Sequence, residues 1–393
     1  MHRKLAVIAP AAAVALVLSA LTPATAGGGH GHHGHSGHSS GLKTVTALDG
    51  PRGVDALGDG RTLVAESDGS FSLVVERRHK PAKVIPLGSV AGGFAPAVAA
   101  GKHGTVYILT GAGGEPGGPP TPGATTLYKW RPGYAAPKVV ADIAAYQATD
   151  PDPYDLERLP GDSNPFNLAV LRNGAVLVAD AAGNDVLKVA KNGSITTVAR
   201  LKPRTVEVPE GLPATDPDGN PTGFPPAGTP IPSEAVATSV AVGKDGAIYI
   251  GELRGFPATP GTSQIWRVKP GATGALCDPE APYSGSCKRW ADGQTSIVDL
   301  AVDKKDTVYA LSLSKLSWFA FELGVPGAEV GSLTALTRSW HGVKAKELAR
   351  GKLISPGGVD VVDDTAYLTG PVFGPGSLSK LALDHHRKGH HRR

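Results

Sequence analysis

Short apolar runs separated by small polar turns dominate the chain from residue 42 onwards. "SNPFNLAVLRNGAVLVADAAGNDVLKVAKNGSITTVA", from Ser163 to Ala199, shows the unit, its runs punctuated by "RNG", "AAGN" and "KNG". An apolar strand, a polar turn, a second apolar strand and a polar or small residue form an antiparallel hairpin signal. That signal recurs as "GVDALGDGRTLVAE" from Gly53, "AVAAGKHGTVYILT" from Ala97, "NLAVLRNGAVLVAD" from Asn167, "SVAVGKDGAIYIGE" from Ser239, "DLAVDKKDTVYALS" from Asp299 and "GVDVVDDTAYLTG" from Gly358. Six copies at this spacing mark a repeat architecture.

Each hairpin is followed by a third apolar segment, such as "SLVVER", "DVLKVAK" or "QIWRVKP", and most by a fourth, such as "AKVIPL" or "SITTVA". Four strands whose sheet cannot bury both faces alone are the unit of a propeller blade. The last copy runs out of chain after "SLSKLAL", while "LKTVTAL" at Leu42 to Leu48 stands unpaired ahead of the first hairpin. The N-terminal strand therefore completes the last blade and removes its free edge. The predicted fold is all-β, a single six-bladed propeller of four-stranded blades over residues 42–384.

The stretches "NPFNLAVLRNGAVLVADAAGNDVLKV", "AVATSVAVGKDGAIYIGELRGFP", "IVDLAVDKKDTVYAL" and "GVPGAEVGSLTALTR" resemble the ScyD/ScyE family of secreted bacterial propellers, and more loosely NHL-type repeats and the virginiamycin B lyase superfamily. The resemblance spans Leu42 to Leu383 and implies a six-bladed propeller without supplying an activity.

The ends change the picture of where the protein works. His2, Arg3 and Lys4, an apolar stretch from Leu5 to Leu21 and the small-residue site Ala24-Thr25-Ala26 read as a signal peptide over residues 1–26. A flexible His/Gly/Ser-rich linker, 27–41, follows it, and a basic His-rich tail, 385–393, closes the chain. No later apolar run is long enough to span a bilayer and no Cys follows the signal to carry a lipid, so the expected location is extracellular. Cys277 and Cys287 are the only cysteines, and in an exported chain a pair this close forms a disulfide. Its short loop makes it a local staple of about 2 to 3 kcal/mol. The net charge of +4 comes largely from the ends, and no basic stripe interleaved with aromatics runs through the repeats, which argues against nucleic acid.

Function is expected on one face. The loops from second to third strand, and those between blades, share the end of the ring called here the top. The long ones lie there: "TGAGGEPGGPPTPGATT", "LRGFPATPGTSQ", "SLSKLSWFAFELGVPGAEVG" and Lys202 to Glu234. The second strands end in Glu66, Thr110, Asp180, Glu252, Ser312 and Gly370, so three carboxylates point to the same end. At about 8 Å apart, each pair of them would repel by about 2 kcal/mol at an effective dielectric near 20. A calcium or magnesium ion at Glu66, Asp180 and Glu252 would relieve that. The other reading is that each accepts hydrogen bonds from its own turn. Arg52, Asn164, Asn167 and Thr238 open inner strands on this face and are the candidate ligand-binding residues.

Acidic loops at Asp150 to Glu157 and Asp216 to Asn220 lack the spacing of an EF-hand. His30, His32, His33, His35 and His38 in the linker, and His385, His386, His390 and His391 in the tail, form tracts able to take up copper, nickel or zinc. Of the remaining histidines His79 and His103 sit in turns, His103 toward the bottom. No histidine ends a second strand and no serine stands in a nucleophile elbow, so no catalytic residue is assigned. The expected function is a monomeric binding or scaffold module gripping a small molecule, glycan or protein through the top face. The alternative is a divalent-metal-dependent lyase or lactonase, in which the ion acts as a Lewis acid; His341 or Asp155 overhanging the channel would favour it.

Overall fold

The computed structural model describes residues 41–91, 94–113, 121–215 and 221–383. The expected signal peptide, nearly all of the linker with its histidines, the Asp216 to Asn220 loop and the C-terminal tail lie outside these residues.

Six antiparallel sheets follow one another along the chain, each laid out from an inner strand outward. The inner strands are Val54–Gly58, Ala97–Ala100, Pro165–Val170, Ala237–Val242, Ile297–Val302 and Gly358–Val362, for blades 1 to 6. Each touches the inner strands on either side, and blade 6 touches blade 1, so the ring closes around an axis. As the repeat predicts, Lys43–Asp49 is the outer strand of blade 6. It pairs antiparallel with Pro375–Ala382, Lys43 opposite Lys380 and Asp49 opposite Pro375.

Second strands such as "VLVAD", "IYIGE" and "VYALS" are buried along their whole length. They are apolar on both sides because both faces of a blade are covered by neighbouring blades, which turns alternation into a continuous run. Outer strands such as Lys80–Ser89 are largely exposed and carry the polar residues. The core is accordingly six wedges, one between each pair of blades. Leu177, Val186 and Ala199 of blade 3 meet Val240, Ile250 and Trp266 of blade 4 in one of them. Leu48, Tyr367 and Leu378 of blade 6 meet Val54, Val64 and Val74 of blade 1 in another. At the bottom the hairpin turns are tight. In "RNG" the Asn173 Oδ1 accepts from Ala175 N at 3.0 Å and Gly174 takes φ 84°, where a side chain would be strained.

Blade 4 departs from the plain repeat. Between its third strand, Ser263–Val268, and its outer strand, Cys287–Gln294, the chain swings out and adds Ala275–Cys277 in parallel to the outer strand of blade 3, Ile195–Leu201. The Cys277–Cys287 disulfide, Cα to Cα 5.0 Å, is therefore a clamp between two blades and not only a closed loop. Converting both cysteines to serine should lower unfolding free energy by about 2 to 3 kcal/mol. It should also loosen the blade 3 edge first, visible as faster amide exchange at Ala199, Arg200 and Leu201 in hydrogen-exchange measurements.

Candidate functional site

An inner strand is paired on one side only, and its other edge faces the axis with backbone amides that must find acceptors. Aspartates of the neighbouring blade supply them around half the ring. Asp299 of blade 5 accepts from Val359 N at 2.7 Å, Asp360 of blade 6 from Ala56 N at 2.7 Å, and Asp55 of blade 1 from Ala100 N at 2.5 Å. Asn167 reaches across from blade 3 and donates its Nδ2 to Asp299 Oδ1 at 2.5 Å. These side chains line a central cavity of about 240 Å³ with Ala99, Ala169, Ala241 and Ala301 between them. Sequence reading missed the aspartates, although the shared "GVD" of Gly53 to Asp55 and Gly358 to Asp360 was the signal.

Burial raises all three carboxyls. Asp299 reaches about 7 although three hydrogen bonds and Arg52 hold it down. Burial, then the repulsion of Asp360, pushes Asp55 up, and burial pushes Asp360 up as well.

The top of this channel is closed by Arg52. The side chain is buried, donates from Nη1 to Ala95 O at 2.8 Å and from Nη2 to Phe166 O, and lies with its guanidinium carbon 3.9 Å from the Phe166 ring centre and 5.3 Å from that of Phe94. Burial lowers its pKa to about 10, with Asp299 opposing the shift. Around it the loop face is aromatic. Phe94 packs on Phe373 at 6.1 Å, Phe373 stacks on Phe321 at 5.7 Å, and Phe224, Phe256 and Phe319 form a trio with ring centres 5.3 to 5.6 Å apart. Trp318 anchors the trio from below, donating its Nε1 to Arg254 O at 2.7 Å. Of the chain's eight phenylalanines only Phe71 is buried in a blade; the other seven sit half-buried on this face. Five of them come from loops of blades 4 to 6 and the segment before blade 4, so local sequence gave no sign of their meeting.

The three predicted metal carboxylates are not brought together. Each ends or directly follows a second strand, one strand out from the axis, and is taken up by nearby amides and side chains, Asp180 and Glu252 beside their own strands and Glu66 at the outer strand of blade 6. Glu66 accepts from Asp49 N at 2.7 Å. Asp180 accepts from Ser163 Oγ at 2.6 Å, Asn164 N at 2.7 Å, and Gly183 N and Gln147 Nε2 at 3.2 Å. Gly183 has no room for a side chain there, since a Cβ would lie 2.2 Å from Gln147 Nε2. Glu252 is fully buried between Arg254, Trp266 Nε1 at 2.6 Å and Gln264 N at 3.0 Å. Among the described residues no three His, Cys, Asp or Glu side chains converge as a metal site requires.

Of the predicted ligand residues, Arg52 and Asn167 do meet at the channel mouth. Asn164 and Thr238 instead tie blades together, Asn164 Oδ1 accepting from Ala112 N at 2.9 Å and Thr238 Oγ1 donating to Ile297 O at 2.6 Å. His341 lies in the Ser339–Gly342 hairpin turn at the bottom, and Asp155 caps its own turn at Glu157 N, 2.9 Å. Near it, Glu157 is raised to about 7 by partial shelter of its carboxyl and by Glu234, Asp155 and Asp162.

No family model matches the chain, and no curated protein matches it. Among solved structures it is similar to the PQQ-bound aldose sugar dehydrogenase of Streptomyces coelicolor, at 13% identity over 86% of this chain and 96% of that one, TM-score 0.51. A glucose dehydrogenase is similar at 15% identity over 88% and 99%, TM-score 0.52. At these identities the shared property is the propeller fold. Virginiamycin B lyase of Staphylococcus aureus aligns at 12% identity over 87% and 98% with a TM-score of 0.44, too loose to carry an argument.

Two outcomes follow from this geometry. Because Asp55 binds its proton more tightly in the folded state, the stability this contributes is complete below about pH 4 and is lost as pH rises through about 7, and burial shifts Asp360 in the same direction. Asp55→Asn keeps an acceptor for Ala100 N and removes the titration. Its unfolding free energy should exceed that of the parent by about 1 to 2 kcal/mol at pH 8, the gap closing toward pH 4 in a series of thermal melts. Glu252→Gln leaves Arg254 as a buried cation without its partner, and denaturant unfolding should register a loss of about 3 to 5 kcal/mol.

Proposed function

We propose that this is an exported propeller of the ScyD/ScyE kind that binds a small molecule on its loop face. The observation that carries the reading is the concentration of half-buried phenylalanines on that face, two of them packed on the Arg52 guanidinium. Soluble proteins rarely leave so contiguous an apolar surface without a use for it, and rigid loops on a closed ring are suited to recognition. Flat aromatic faces, with the Glu322 carboxyl next in the chain to Phe321, match a sugar ring or sugar lactone, which has apolar C–H faces and a polar rim.

The acidic-ring version of the enzyme alternative does not fit, because Asp180 and Glu252 are buried and already engaged by several donors, while Glu66 accepts from Asp49 N of blade 6. Turnover of a sugar or sugar lactone remains as a second reading. It draws on the sugar dehydrogenases among the similar folds and on Glu157, a loop-face carboxyl near neutrality and so suited to proton transfer at physiological pH.

Titration with monosaccharides and aldonolactones, followed by tryptophan fluorescence and thermal shift, tests both. Saturable binding that Phe321→Ala and Phe373→Ala each weaken about tenfold or more supports the site. Binding unchanged in both variants would move it elsewhere. Lactone hydrolysis that disappears in Glu157→Gln while binding persists would establish the second reading.

A further inference from the structure

Opposite the loop face, at the bottom of the ring, blades 2 and 3 enclose a second cavity of about 230 Å³. Lys102, His103, Lys129, Arg131 and Lys191 line it, with Tyr107, and no Asp or Glu is among its lining residues. Among the described residues none of the three lysines nor Arg131 enters an ion pair. Elsewhere on the surface lysines and arginines commonly do, as Lys244 with Asp306 and Arg267 with Asp245 in the equivalent bottom turns of blade 4.

Two of the cations lie against the cavity wall. Arg131 donates Nε to the buried Thr105 Oγ1 at 2.9 Å, which fixes the guanidinium plane at the cavity wall. Lys191 lies along Gly174, where a Cβ would stand 2.7 Å from its Cε, and the Tyr107 ring covers Gly101, where a Cβ would stand 2.8 Å from Cε2. Four like charges around one concave space repel one another, and a multiply charged anion turns that repulsion into attraction.

We propose that this cavity is a binding site for a compact, multiply charged oxyanion of the phosphate class. The concavity has room for a compact oxyanion, and a diphosphate, carrying more charge than a single phosphate or sulfate, gains most from four surrounding cations. The site is separate from the loop face and stands or falls independently of the function proposed there.

The test is calorimetric titration of the folded chain at constant ionic strength with pyrophosphate, inorganic phosphate and sulfate as probes. Pyrophosphate should bind saturably, one per chain, at least tenfold more tightly than sulfate. The double variant Lys102→Ala/Lys191→Ala, both in exposed turns, should lose at least tenfold in affinity while melting no lower than the parent without anion. Lys344→Ala, on the outer strand of blade 5, should bind as the parent does. Absence of saturable binding, or equal weakening in Lys344→Ala and the double variant, would overturn the proposal in favour of diffuse screening. A free small ester and the same group carried on a polymer are distinguished by repeating the titration with a phosphorylated monosaccharide and a sulfated glycan: binding of the monosaccharide identifies the small ester as the source, and binding of the glycan alone overturns the small-molecule assignment.

Discussion

Everything in this molecule hangs on how the inner edges of six sheets are satisfied where they meet. A four-stranded blade makes three strand pairings internally, but its innermost edge faces the axis, and a backbone amide left there without an acceptor costs on the order of 1 to 3 kcal/mol. Asp299, Asp360 and Asp55 meet that demand in relay, each serving the next blade. The same three side chains put acid groups into a narrow low-dielectric channel, where burial raises their pKa values while the amides they accept from pull the other way. Structural integrity of the ring and the polarity of its axis are thus one property.

That arrangement decides what the two faces offer. The top of the axis is already occupied by a guanidinium between two rings, so a ligand arriving there meets an aromatic surface instead of an open polar shaft. At the bottom, where tight turns leave little elaboration, the chemistry is cationic and lies off the axis between two blades. One ring therefore presents an aromatic patch at one end and a cationic hollow at the other, and the channel is lined by small aliphatic residues and by carboxyls already engaged.

The blades were legible because a strand buried on both faces writes itself as an unbroken apolar run, as in "VLVAD" and "IYIGE", and because turn residues such as Asn173 and Gly174 punctuate it. Closure by Lys43–Asp49 was legible from arithmetic alone, one strand over at one end and one missing at the other. The site was much less so. Asp180 and Glu252 stand at equivalent points of the repeat, which suggested a shared focus, but equivalence along the chain does not say how far from the axis a strand lies. Phe224, Phe256 and Phe319 are separated by 32 and then 63 residues and sit in loops that follow no period. Their meeting is a property of the ring, not of any stretch of it.

The outer strand of blade 6 has a temporal meaning as well. Because residues 43–49 pair with residues 375–382, the first strand must wait, unpartnered, until almost every other strand exists. Until then the wedge of Leu48, Val54, Val64, Val74, Tyr367 and Leu378 stays split into two greasy halves at opposite ends of an unfinished arc. A chain that folds while it crosses a membrane would spend that interval with its stickiest surface uncovered, and contacts this distant in sequence form slowly. The joint that makes the finished ring seamless is also the last one that can be made.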